Sequence, residues 1–183
     1  MRIKDKLKQF LFRLRGEFTI ESLLEMGLCV GKNFSAQHGY DLDPSHCWLI
    51  TIGDDVTLAP HVQIIAHDAS TCKALGYAKI GRVTIGNRVF IGAGSIILPN
   101  VTIGDDVVVG AGSVVTRSIP SNTVCAGNPA RIICTMDSYL ARNKEQMNSR
   151  PVYSADYTLR KNISNSQKQE QRSALANGIG YVE

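Results

Sequence analysis

Long apolar runs are missing from this 183-residue chain, and none approaches the roughly 18 to 20 residues that a membrane span requires. At the N-terminus Phe10, Leu11 and Phe12 are followed at once by Arg13, which leaves no secretory h-region. The five cysteines, Cys29, Cys47, Cys72, Cys125 and Cys134, are odd in number, scattered and without a C-x-x-C pair. That pattern argues against both a disulfide framework and a zinc knuckle, and it points to a reducing cytoplasm. Aromatic residues are scarce at 7%. With a formal net charge of only +4, nucleic acid is a poor partner, although small anions remain compatible.

What the chain does contain is a beat of six. Ile85, Ile91, Ile97, Ile103, Val109 and Val115 recur at that interval, and Ile52, Leu58 and Ile64 keep the same beat earlier. Six matches neither a helix nor a plain alternating strand, but it suits a solenoid whose short strands end at corners. The residue after the aliphatic one is small in Gly53, Ala59, Gly86, Gly92, Gly104 and Gly110, where a larger side chain would crowd a corner. Three hexads close one coil of 18 residues, which sets Ile85 beneath Ile103, Ile91 beneath Val109 and Ile97 beneath Val115.

Two stretches break the beat. It begins near Val30 and loosens across AQHGYDLDPSHCWL before recovering at Ile52. Between Ile64 and Ile85 lie 21 positions where one hexad needs six, so about fifteen residues are pushed outward as a loop that begins at His67. Such an interruption of a regular scaffold marks the expected active site. The length suits one core with attached ends: an N-terminal amphipathic helical segment over 1–26, a repeat domain over 27–134 with an excursion at about 67–79, and an extension over 135–183. In the first segment Ile3, Leu7, Phe10 and Leu14 share a helical face, fit to cap the solenoid or to touch an anionic membrane. Residues 135–149 suit a short helix, whereas 154–172 is polar, lacks a core pattern and is open to disorder or to wrapping a neighbour.

IGDDVTLAPHVQIIAHD, then VTIGNRVFIGAGSIILPNVTIGDDVVVGAGSVVT, then AGNPARII resemble the hexapeptide-repeat acyltransferases, within them the sugar and polysaccharide O-acetyltransferases. The likeness covers about residues 28–134. It implies an all-β solenoid, a left-handed parallel β-helix, assembled as a homotrimer with active sites between subunits. It also implies acetyl-CoA as cosubstrate, no metal, and a sugar or polysaccharide-precursor hydroxyl as acceptor.

By that resemblance His67 stands at the place of the general base, since a neutral imidazole can take the proton of an attacking hydroxyl. A base needs a partner for its other ring nitrogen. Asp68 is adjacent but can point away, and Asp43 looks like the family aspartate beside the acceptor, although a turn-forming Asp before Pro44 explains it too. His38 falls in the acceptor-contacting stretch. The backbone N–H of Ala93 matches the oxyanion donor. Phe90, Ala93 and Ala111 match positions along the pantetheine arm, and Thr116, Arg117 and Arg131 match positions near the adenine and phosphates. Arg117 stands where lysine is expected. An exposed corner suits His61, and Cys72 has no clearly paired histidine to make it a nucleophile. The alternatives are an acceptor of the antibiotic type, a zinc-dependent γ-type carbonic anhydrase drawing on the four histidines, and a non-catalytic solenoid.

Overall fold

The computed structural model describes residues 18–183. It divides into two compact units, one ending at Met136 and the other running from Asp137 to Glu183. The expected N-terminal helical face at Ile3, Leu7, Phe10 and Leu14 lies outside the described residues. The segment begins with helix α1 (Ile20–Glu25), started by Thr19, whose hydroxyl accepts the Ser22 N–H at 3.2 Å. Leu23 of α1 is buried in the same core as the repeats.

The hexads form three parallel sheets that the chain visits in rotation. The first holds β1 (Cys29–Val30), β3 (Ile50–Ile52), β8 (Val83–Ile85) and β11 (Thr102–Ile103) in that order. The second runs from β2 (Ser35–Ala36) through β4 (Thr57–Leu58), β9 (Phe90–Ile91) and β12 (Val107–Val109) to β14 (Thr123–Ala126). The third stacks β5 (Gln63–Ile64), β10 (Ile96–Ile97) and β13 (Val114–Val115). Each circuit therefore lies on the one before it, and three columns of aliphatic side chains fill the interior. The register matches the 18-residue expectation: Ile103 pairs with Ile85, Val109 with Ile91 and Val115 with Ile97. Across the long interruption Ile52 pairs with Ile85, Leu58 with Ile91 and Ile64 with Ile97, so the interruption leaves the stack unbroken.

Corners between the first and second sheets show why the second position is small. A Cβ on Gly53 would stand 2.7 Å from the Gly86 carbonyl oxygen of the next coil, so backbone packs on backbone there. Side chains lace the same corner vertically: Asp54 accepts the Lys32 N–H at 2.7 Å, Asn87 accepts the Asp54 N–H at 2.9 Å, and Asp105 accepts the Asn87 N–H at 2.7 Å. These bonds satisfy donors that a turn would otherwise leave to water. The stack ends where β15 (Arg131–Thr135) turns back antiparallel on β14.

The second unit follows a different logic. Helix α3 (Met136–Met147) and helix α4 (Asn165–Ala174) bury no residue, in keeping with a polar sequence that lacks a core pattern. The segment is nevertheless structured. Strands β16 (Val152–Tyr153) and β17 (Tyr181–Val182) pair in parallel, and the Tyr181 hydroxyl donates to Asn143 at 3.2 Å and Gln146 at 3.1 Å. Ser164 and Gln167 form a capping box at the start of α4, and Tyr157 donates to Glu170 at 2.7 Å. Polar closure takes the place of an apolar core, a feature that hydropathy does not register. No helix among the described residues is long and apolar enough to cross a membrane.

Candidate active site

Both breaks in the repeat fall at the same edge, the corner leading from the third sheet to the first. In the lower coil Asp41 bridges to Gln63 of the third sheet, and the chain regains the first sheet only at Ile50. In the coil above, the chain leaves β5 at Ile64 and does not resume until Val83. The upper excursion is a short antiparallel pair, β6 (His67–Asp68) against β7 (Lys79–Ile80), with helix α2 (Cys72–Leu75) between them. Stacking puts the lower excursion directly under His67.

Asp43 is the joint between the two. Its backbone takes φ +42°, a left-handed conformation that Asp tolerates better than most residues. Its side chain is 1% exposed. One oxygen, Oδ2, accepts the Ala66 N–H at 2.7 Å and lies 2.7 Å from His67 Nδ1. An aspartate that cannot be reached by water and already accepts a backbone N–H is held as an acceptor, so His67 carries its proton on Nδ1 and leaves Nε2 free to take another. The His67 side chain is 36% exposed, open enough for a reactant. Sequence reasoning set Asp43 beside an acceptor; the structure directs its carboxylate at the histidine.

Asp68 points elsewhere. It pairs with Lys79 across the excursion and accepts the Ser70 N–H at 2.8 Å, and the Lys79 contact first, then the Ser70 bonds, hold its carboxyl well below the ordinary carboxylate range. Asp41 shifts the other way: desolvation pushes its carboxyl up, partly offset by the Asp43 N–H that its Oδ1 accepts at 3.2 Å.

Two residues of the site carried no signal in the six-residue pattern. The His46 ring lies 5.1 Å from His67, centroid to centroid and inclined 34°, and Trp48 lies 5.2 Å beyond it, inclined 43°. His46 Nδ1 and Asp43 Oδ1 are buried without a hydrogen-bond partner among the described residues. Donor atoms of Asp43, His46 and His67 all lie within 4.8 Å of one another, near enough to be drawn onto one cation. A cation there would compete with the Asp43–His67 hydrogen bond.

The remaining candidates sit at other corners. His38 and His61 meet edge to face at 5.2 Å, at the corner between the second and third sheets, with His61 in the left-handed region at φ +60°. Ala93 and Ala111 stack at that same corner, where the Gly112 N–H donates to the Ala93 carbonyl at 2.8 Å, and both are exposed. Phe90 precedes them on β9 and is 44% exposed. Thr116 and Arg117 are exposed just after β13, at the same corner as His67 but two coils farther along. Arg131 is exposed at the start of β15 and donates to the Ala130 carbonyl at 3.0 Å. Within one chain, then, the third sheet separates His67 from Ala93 and Ala111.

Residues 82–117 match the bacterial transferase hexapeptide family (six repeats). A maltose O-acetyltransferase from Clostridium difficile 630 is 46% identical over 60% of this chain, with a TM-score of 0.53. Protein CapG of Staphylococcus aureus is 35% identical over 165 residues, 86% of this chain and 90% of CapG. The chain belongs to the hexapeptide-repeat acyltransferases. Another acyltransferase of similar structure is a galactoside acetyltransferase solved in complex with coenzyme A, 34% identical with a TM-score of 0.53 over 68% of this chain and 72% of that one. The likeness to the maltose enzyme spans 59% of that enzyme's chain.

Proposed function

We propose that this acyltransferase moves an acetyl group from acetyl-CoA to a hydroxyl of a sugar or polysaccharide precursor, with His67 as general base. The observation that carries this reading is the 2.7 Å contact between His67 Nδ1 and the buried Asp43 carboxylate, at the edge where both breaks in the repeat meet. The relatives that act on maltose and galactoside supply the substrate class.

In this mechanism His67 Nε2 removes the acceptor proton as the hydroxyl oxygen attacks the thioester carbonyl. The new C–O bond forms a tetrahedral oxyanion, with the Ala93 N–H as its donor. Collapse breaks the C–S bond, and the imidazolium returns its proton to the departing thiolate, so the products are the O-acetyl ester and free CoA. Asp43 positions His67 and stabilises the imidazolium, and by the resemblance it also lies near the acceptor. Phe90, Ala93 and Ala111 would flank the pantetheine arm, Thr116, Arg117 and Arg131 the nucleotide end, and His38 the acceptor. The separation of His67 from Ala93 and Ala111 within one chain supports a site shared between subunits, hence a homotrimer of left-handed coils. Five free cysteines suit a cytoplasmic setting.

The test is thiol release from acetyl-CoA across a panel of sugars and antibiotics, with the ester identified by mass spectrometry. Sugar-dependent release with an O-acetyl sugar product is expected. Release with antibiotics alone, or with no acceptor in either set, would overturn the reading.

A further inference from the structure

Beside His67 the structure holds a row of three rings. His67, His46 and Trp48 follow one another at centroid spacings of 5.1 and 5.2 Å, with successive tilts of 34° and 43°. The row is anchored at its root. Cys47, between His46 and Trp48, is fully buried, and its thiol lies 3.7 Å from the carbonyl oxygens of both Leu23 and Met26. The short turn Cys47–Leu49 is closed by the Leu49 N–H donating to the His46 carbonyl at 2.9 Å. Gly27, at φ +105°, brings its backbone so near that a Cβ there would stand 3.0 Å from Trp48 Cβ. Trp48 is 54% exposed, although it is the chain's only tryptophan and follows a buried neighbour.

An exposed indole with a fixed root is costly to leave in water and gains when an apolar face covers it. Its position selects the occupant. The row leads ring by ring to the imidazole that would deprotonate an acceptor, two centroid spacings and so at most about 10 Å from the indole, so whatever lies on the indole must extend past His46 to present a hydroxyl there. It must also offer a flat face of C–H groups and tolerate a polar setting that includes Asp41 and Asp43. A pyranose has all three properties: hydroxyls on its edge, C–H bonds on its face and no charge to repel the carboxylates.

We infer that Trp48, held by His46, is the platform on which a pyranose ring of the acceptor lies while the acceptor extends past His46 to bring a hydroxyl to His67. This rests on the proposed acetyl transfer to sugars for the identity of the acceptor, but the binding can be read without turnover. Because Trp48 is the only tryptophan, intrinsic fluorescence reports on it alone. Titration of the full-length enzyme with a panel of methyl pyranosides should give a saturable change in emission for at least one of them, and Trp48→Phe should retain that sugar's KM to within about threefold. Trp48→Ala should raise the acceptor KM roughly tenfold or more while leaving the KM for acetyl-CoA unchanged, a split that mere loss of stability would not produce. Saturable emission change with no acetyl transfer would sink the proposed reaction and leave the platform standing. Active transfer with silent emission, or with an unchanged acceptor KM in Trp48→Ala, would sink the platform and leave the reaction.

Discussion

Replacing Asp43 by Asn changes one oxygen to an amide and almost no volume, so it isolates the charge behind His67. In the native site Oδ2 serves both the Ala66 N–H and His67 Nδ1, each at 2.7 Å. If the Asn oxygen takes that position it still accepts both bonds, but it no longer faces the imidazolium with a negative charge. Unit charges about 4 Å apart at the effective dielectric of a protein surface attract by about 4 kcal/mol. The His67 side chain is 36% exposed, and water screens part of that, leaving about 2 to 3 kcal/mol. At about 1.4 kcal/mol per factor of ten, turnover should fall about 30- to 150-fold. If the amide nitrogen takes the position instead, His67 must move its proton to Nε2 and cannot act as a base, and the loss is larger. Either way the KM for acetyl-CoA should stay near its native value. The assay is thiol release at saturating acceptor across a pH range, with the KM for acetyl-CoA determined beside it. A variant within threefold of native turnover, with an unaltered pH profile, would refute the assigned role of Asp43.

Other consequences follow from the stack and its corners. Mixing His67→Ala chains with Ala111→Trp chains should restore activity that neither has alone, at about a quarter of native sites for a random trimer, whereas a site contained in one chain would restore none. Ile97 is fully buried between Ile64 and Val115, and Ile97→Ala should lower the unfolding free energy by about 2 to 5 kcal/mol in urea titration; a loss below about 1 kcal/mol would contradict the continuous column. Asp41 has a folded pKa raised above its ordinary 3.8, so protonation favours the fold and its contribution is lost as pH rises through the folded value. Asp41→Asn should therefore raise Tm at pH 7, with the gain vanishing below about pH 3.8.

The scaffold was legible because the six-residue beat is a direct record of the corners. The pairing of Ile64 with Ile97 across 33 positions is one 18-residue coil plus the fifteen-residue excursion read from the spacing alone. The lower break was legible only as a loosening. Asp41 pairs with Gln63 at 22 positions, four more than a coil, and those four extra residues carry Asp43, His46 and Trp48 to the edge beneath His67. No spacing along the chain announces that two separate interruptions stack, because the contact is made between coils. For the same reason His46 and Trp48 went unmarked, while His67, at the root of the longer break, stood out. The polar C-terminal unit was opaque for another reason: its order rests on Tyr181, Tyr157 and the Ser164 cap rather than on buried apolar surface.

The proposed mechanism requires the imidazole of His67 to take the acceptor's proton. Single-turnover acetyl transfer by His67→Ala, followed beside the wild type with the same sugar and a matched occupancy of acetyl-CoA, tests it most directly. The rate should be lower by roughly 10²- to 10⁴-fold with acetyl-CoA affinity unchanged. Transfer at the native rate would contradict the mechanism.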